Sequence, residues 1–287
     1  MKLNKGIACA LALALMTSAA LADTTTNNST TTATVQEAAP SLMQKVTMSY
    51  LGLVYGPSVG NPNGFTPDEY GRFQDEKGAP ANGKVNMENY LMIGYKATPT
   101  LTPTLVIGSV YNMVAGQDLR MTDPYLKVGG KLVDAGKFSL TQDIRGYIPV
   151  STNSRNSGLI TALASYQVMN YQLTEKFSLS NAFYLRYFLR DGSAAVGKRV
   201  GDAMVLPSLN YQISAPLSAS LGYEADAMTN KGDGVTDWSR NGTYVYTGIA
   251  WDITPSINFN PFLQFMPGGK VNADSTTLNA YLSAKIL

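Results

Sequence analysis

Lys127, Lys131, Asp143, Arg145, Arg186, Arg190, Glu224, Asp226 and Asp252 all lie in stretches where apolar and polar residues alternate. At a period of two, successive side chains point to opposite faces of a strand, so charges two or four residues apart share a face. A wall of fixed charges of both signs attracts and orients polar solutes. It does not perform proton transfer or nucleophilic attack. The chain contains no histidine, which excludes a Ser-His catalytic pair, histidine metal sites and histidine pH switching. No nucleophile–base constellation is visible, so neither enzyme activity nor a cofactor is expected.

The alternation fixes which elements must hold these charges. Strands are expected at 46–55, 89–98, 104–112, 125–133, 137–148, 159–172, 177–190, 204–214, 218–228, 243–253, 257–266 and 277–287. The short connections are Pro99 to Pro103, Asp134-Ala135-Gly136, Leu173 to Lys176, Ala215-Pro216 and Thr254-Pro255-Ser256, each with Pro, Gly, Asp or Thr in turn roles. The connections at 56–88, 113–124, 149–158, 191–203, 229–242 and 267–276 are long and polar. An even number of strands with short turns at one end and long loops at the other describes a closed antiparallel barrel. Pro207 and Pro261 fall inside expected strands, where each should mark a bulge or a shortened strand. The strand at 159–172 alternates poorly, and the first strand reads on either parity.

One parity is apolar. Phe177, Leu179, Leu185, Tyr187 and Leu189 oppose Ser178, Ser180, Tyr184, Arg186 and Arg190; Phe138, Leu140, Ile144 and Ile148 oppose Lys137, Ser139, Thr141, Asp143 and Arg145. Leu217, Ala219, Leu221, Tyr223 and Ala225 likewise oppose Ser218, Ser220, Glu224 and Asp226, and Val245, Ile249, Trp251 and Ile253 oppose Tyr244, Tyr246 and Asp252. Arg or Lys facing lipid at mid-bilayer costs ~2–4 kcal/mol, so the uncharged parity is the lipid face. Tyr187, Tyr211 and Trp251 sit near strand ends on that face, where an aromatic girdle belongs. A soluble barrel or sandwich would bury one parity in a core and would not place Arg and Asp on several inward faces.

The N-terminus matches export. Lys2 and Lys5 precede the apolar run Gly6 to Met16, and Ala20-Leu21-Ala22 offers a cleavage site. Residues 1–22 are expected to be a signal peptide, 23–43 a flexible, Thr- and Asn-rich periplasmic leader, and 44–287 the transmembrane barrel. Cleavage removes Lys2, Lys5 and the lone Cys9, leaving basic and acidic residues in balance and no disulfide. A neutral mature chain gives no argument for nucleic acid as a partner. Asn28-Ser29-Thr30 matches a glycosylation acceptor without consequence in a leader, and 230–237 lacks the spacing of a calcium loop.

On these features the chain resembles the bacterial outer-membrane β-barrels of small porin-like type, over residues 46–287. The resemblance implies an all-β closed transmembrane barrel of about twelve strands in the outer membrane, with lipid outside, the barrel-insertion machinery as assembly partner, and a homo-oligomer open. Such barrels usually end in an aromatic residue, whereas this chain ends Leu282-Ser283-Ala284-Lys285-Ile286-Leu287. Twelve strands give a backbone diameter of ~24 Å, compatible with a narrow pore or a filled lumen.

The expected basic set comes from the fourth to seventh strands and the acidic set from the ninth and tenth, a transverse field suited to passing ions and small hydrophilic solutes. Lys127 is expected opposite Asp143, with Ala135 at the hairpin centre; bridges of that kind would plug the lumen instead. An occluded structural or adhesive barrel presenting its loops is therefore the alternative. A lipid or apolar-solute transporter would use inward Tyr184, Phe188, Tyr244, Tyr246 and Phe262.

Overall fold

The structure, a computed structural model, describes residues 42–60, 86–98, 101–112, 119–191, 198–230, 238–265, 273 and 276–287. The expected signal peptide, nearly all of the leader, most of the 56–88 loop and the 231–237 segment lie outside the described residues. A four-residue helix, α1 (Leu42–Lys45), leads into the first strand.

Strands follow the alternation: β1 (Val46–Ser58), β2 (Asn86–Tyr95), β3 (Thr104–Asn112), β4 (Leu119–Met121), β5 (Tyr125–Ala135), β6 (Phe138–Tyr147), β7 (Leu159–Gln172), β8 (Phe177–Arg190), β9 (Arg199–Ser214), β10 (Leu217–Asn230), β11 (Ser239–Thr254), β12 (Ile257–Phe265) and β13 (Thr276–Lys285). Apart from β4 and β5, each pairs antiparallel with its sequence neighbours, and β1 pairs with β13 to close the ring. Both β4 and β5 pair with β3, so they form one interrupted stave and the barrel has twelve. Closure gives every stave a neighbour on both sides and leaves no open sheet edge in hydrocarbon.

The structure corrects three of the sequence expectations, the first of them strand bounds. The second expected strand runs 86–95 rather than 89–98, the eighth (β9) begins at Arg199 rather than 204, and the tenth (β11) begins at Ser239 rather than 243. In each case the long-loop end of the strand is polar, and a lumen-facing strand end needs no apolar side chains to pair. The second concerns the β5–β6 hairpin. Gly136 takes φ +59°, so Gly136-Lys137 forms the turn and Ala135 faces Phe138. A bulge at Leu132 takes back one residue of that shift, and Lys127 faces Arg145 while Asp143 faces Gly129. The expected Lys127–Asp143 cross-strand pair is therefore absent.

The prolines are the third. Neither marks a bulge or a shortened strand. The β9–β10 register is the same on both sides of Pro207, from Gly222↔Ser208 to Ala225↔Val205, with the two intervening pairs missing. Pro261 leaves the same gap between β11 and β12. Each proline costs one neighbour a ladder bond and leaves the other neighbour paired.

Threonine supplies the turn chemistry. The hydroxyl oxygen of Thr98 accepts from the Leu101 N–H, that of Thr174 from Lys176 and Phe177, and that of Thr254 from Ser256 and Ile257. At the opposite end, the break between β4 and β5 exposes Asp123, whose carboxylate accepts from the Val150 and Ser151 N–H groups at 2.9 and 2.8 Å and from the Ser154 hydroxyl. That carboxylate fastens a short helix, α2 (Thr152–Asn156), capped by Ser151, inside a connection expected to be plain loop.

The outer face carries Leu179, Leu185, Tyr187, Leu209, Tyr211, Leu221, Ile249 and Trp251, all exposed. It includes polar groups as well: Gln142 and Ser165 lie on outward parity of β6 and β7, and the Gln142 amide donates to the Ser165 hydroxyl at 3.2 Å. These outward polar residues explain the poor alternation of 159–172. Pairing settles the first strand too. Ser49, Leu51, Leu53 and Tyr55 face inward and Met48, Tyr50 and Val54 outward, since Val54 faces the outward Ala280 and Leu53 the inward Tyr281.

Candidate functional site: the inner wall

Directly paired residues share a face, so the registers give the inner wall as rows that cross the strands. Strands in a closed barrel are tilted, and a row therefore climbs around the lumen as an oblique ramp. One row runs Thr104, Lys127, Arg145, Ala164, Arg186, Asp202, Met228, from the short-turn end of β3 to the long-loop end of β10. The row above it contains Val106, Tyr125, Tyr147 and Ala162. The row below contains Asp143, Tyr166, Tyr184, Met204 and Asp226. A line of cations thus lies between two lines of tyrosine.

The arginines are held by carboxylates and rings together. Arg145 donates through Nε and Nη2 to Asp143, two residues away on its own strand, at 2.6 and 3.2 Å, with the two side chains only 17% and 18% exposed. Its guanidinium also stands over Tyr166 at 4.6 Å and near Tyr125 and Tyr184 at 5.5 and 5.7 Å. Arg186 donates to Asp202 through Nε and Nη2 at 3.0 and 2.5 Å and lies over Phe188 at 4.5 Å. Planar guanidinium suits both contacts at once, where a lysine would serve neither as well. β7 contributes Ala162 and Ala164, both buried. Their small side chains let Tyr147 of β6 and Tyr184 of β8 meet across the strand, hydroxyl to hydroxyl at 3.2 Å.

The opposite sector is uncharged along its centre. Tyr246, Phe262 and Tyr281 line β11, β12 and β13, with centroids 6.3 and 4.7 Å apart. Glycines make room for them: a Cβ on Gly222 would stand 1.9 Å from the Tyr246 ring. Nearby, the Asn279 amide donates to Gln264 and Thr277 at 3.0 and 3.1 Å and its carbonyl accepts from the Gly56 N–H, all of it buried.

The sequence-derived charges divide among these surroundings. Lys127, Asp143, Arg145 and Arg186 meet in the ramp. Arg190 belongs to the rim, where its guanidinium donates to the carbonyl and hydroxyl of Ser157 at 3.1 and 2.6 Å and to the Arg199 carbonyl. Lys131 and Asp252 sit near the short turns, tied to Asp134 at 2.7 Å and to Asn258 at 2.9 Å. Glu224 is inward and buried, and Asp226 continues the row below the ramp. Sequence reasoning missed Asp202, which lay inside an expected loop, and Glu88 on β2, which accepts from the Tyr90 hydroxyl at 2.7 Å. The parity of Asp202 with Met204 and Ser208 was the signal that would have found it. With Asp143 and Asp202 set among the cations, the separation into basic and acidic sectors is partial.

A closed twelve-stave barrel with an apolar outer face and a charged inner one is an outer-membrane β-barrel of porin-like form, and its place is the bacterial outer membrane. No protein-family model and no curated protein matches the sequence. Among solved structures the chain is similar to an outer membrane channel from Pseudomonas putida F1, with a TM-score of 0.57 and 11% identity over 90% of this chain and 100% of that one. The NanC porin aligns with a TM-score of 0.47 at 10% identity, over 84% of this chain and 100% of its own. The KdgM porin, solved in complex with disordered oligogalacturonate, gives 0.46 at 6% identity, over 83% and 98%. At these identities the likeness is one of fold.

Proposed function

We propose that the protein is a porin-like channel for passive diffusion of ions and small hydrophilic solutes across the outer membrane. The observation that carries this reading is the direction of the ion pairs. Each described pair joins residues of one strand or of two neighbours: Lys131–Asp134, Arg145–Asp143, Arg186–Asp202 and Arg199–Asp202. Charges tied in this way lie flat against the wall, and none of these pairs crosses the lumen. A wall carrying charges of both signs gives weak selectivity. Lipid covers the outer face, and the barrel-insertion machinery is the partner in assembly.

Single-channel recording of the refolded protein in a planar bilayer tests the reading. Discrete openings are expected, with Arg186→Ala shifting ion selectivity toward cations and Glu224→Ala toward anions. A folded, heat-modifiable barrel that never conducts would overturn it. That outcome would favour the occluded, loop-presenting barrel, for which the burial of inward Tyr244 and Phe262 is the supporting observation.

A further inference from the structure

Lys127 and Arg145 stand directly opposite each other on β5 and β6, both inward. Like charges in that position repel and destabilise the pairing unless something of opposite sign lies between them. The carboxylate beside them, Asp143, bonds Arg145 through both oxygens. It faces Gly129, whose missing Cβ allows the β6 backbone to approach so closely that an added Cβ would stand 2.1 Å from the Gln142 carbonyl oxygen. Among the described residues no ion pair reaches Lys127. On its other side, along β3, stands Thr104, whose hydroxyl donates to the Thr102 carbonyl. The group therefore carries two cations and one anion within a half-buried wall, with one positive charge uncompensated.

Arg145 uses Nε and Nη2 for Asp143 and keeps Nη1, while Lys127 keeps three donors on its ammonium. Cβ atoms of directly opposed residues are ~5 Å apart, a span that one carboxylate bridges with an oxygen to each cation. Tyr125 and Tyr166 flank the guanidinium on both sides along the barrel axis. Their rings shield the guanidinium on those two sides and present apolar surface to the remainder of a ligand.

We infer that Lys127 and Arg145 form a binding site for a small organic monocarboxylate, a subsite of the lumen that deepens the channel reading and rests on it. One net charge selects a monoanion over a phosphate dianion. The two-oxygen geometry selects carboxylate over halide. Position on the ramp makes the site a stage in permeation: a carboxylate held between Lys127 and Arg145 has Arg186 next along the same row, beyond Ala164.

The test uses the full mature barrel in detergent micelles, with benzoate and acetate as probes and chloride as the competing halide, read by calorimetry and by ligand-observed NMR. Saturable binding of both carboxylates is expected, weakened about tenfold in Lys127→Met, since a charge-assisted hydrogen bond is lost. Lys127→Arg should restore most of it. Lys176→Met, at an exposed turn, serves as the charge-matched control, and heat modifiability confirms that each variant folds. Equal carboxylate binding by wild type and Lys127→Met, no saturable binding by wild type, or chloride binding as tightly as acetate would each overturn the site. Reversal potentials separate this outcome from failure of the channel reading. A barrel that conducts with unchanged selectivity in Lys127→Met loses the site and keeps the channel. One that binds carboxylate through Lys127 yet never conducts keeps the site and loses the channel.

Discussion

Two sectors of the inner wall carry aromatic rings and hold them by different means. Between β5 and β9 the rings of Tyr125, Tyr147, Tyr166, Tyr184 and Phe188 pack on guanidinium groups, and small alanines on β7 let them meet. Between β10 and β13 the rings of Tyr246, Phe262 and Tyr281 pack on one another, and glycines make the space. The first arrangement keeps charge at the lumen surface, because a stacked arginine retains free donors. The second fixes the shape of the wall and adds no charge. Shape and charge in this barrel are set largely by different strands, so a substitution in one sector should change stability or selectivity with little crossover.

Phe262→Ala should give the largest effect in the ring-on-ring sector. Phe262 is 5% exposed and stacked on Tyr281, and truncation of a ring so buried costs about 3–5 kcal/mol. Urea unfolding in micelles measures the loss, while the reversal potential should stay close to wild type. A large selectivity shift in this variant would break the division between the sectors.

Arg145→Ala comes next and should differ in kind. It leaves Asp143 in the wall without its bidentate partner, and breaking an ion pair this buried costs about 3 kcal/mol. It also takes the Lys127–Arg145–Asp143 group from one net positive charge to neutral, so selectivity moves toward cations along with the loss of stability. Arg186→Ala is milder in stability because Asp202 keeps Arg199 at 3.2 Å. Equal destabilisation by the two would mean that Arg199 does not compensate.

Asn279→Ala sharpens the other side. It removes hydrogen bonds to Gln264, Thr277 and the Gly56 N–H at a position that is 2% exposed, for about 1–3 kcal/mol. Gly56 sits where β1 and β13 shift register, and a Cβ there would stand 1.8 Å from the Leu278 carbonyl oxygen. The loss should appear first as faster hydrogen exchange along the β1–β13 seam. Exchange rising instead across β6–β8 would contradict the assignment.

How much of this was legible in the sequence follows from what period two encodes. Alternation is a local signal, so strand identity, the lipid face and the inward parity of Arg145, Arg186 and Glu224 could all be read from neighbouring residues. Register is not local. A turn at Gly136-Lys137 instead of Ala135, offset by one bulged residue at Leu132, moves Lys127 from Asp143 to Arg145, which converts an expected neutral pair into an excess of positive charge. The same limit hid Asp202: polar ends of long strands carry no apolar alternation, and the start of β9, residues 199–203, reads as loop until its pairing with β8 is seen. Pro207 and Pro261 misled in the opposite direction, since a missing N–H on one side of a strand leaves its register intact.

The smallest expected effect is the one that isolates position from charge. Lys131 lies four residues from Lys127 on β5, with the same side chain and the same inward parity, yet it belongs to the short-turn end, where it pairs with Asp134 and the two side chains are 51% and 61% exposed. Solvent screens a pair so placed, and its loss costs under about 1 kcal/mol. Lys131→Met should therefore leave unfolding nearly unchanged and move the reversal potential only slightly, with the residual shift vanishing at high salt. Lys127→Met removes the same charge from between two tyrosine rows and should shift selectivity at low and high salt alike. Should the two variants behave identically across the salt series, the ramp would be no more than a distribution of surface charge, and the contrast between the sectors would reduce to net charge alone.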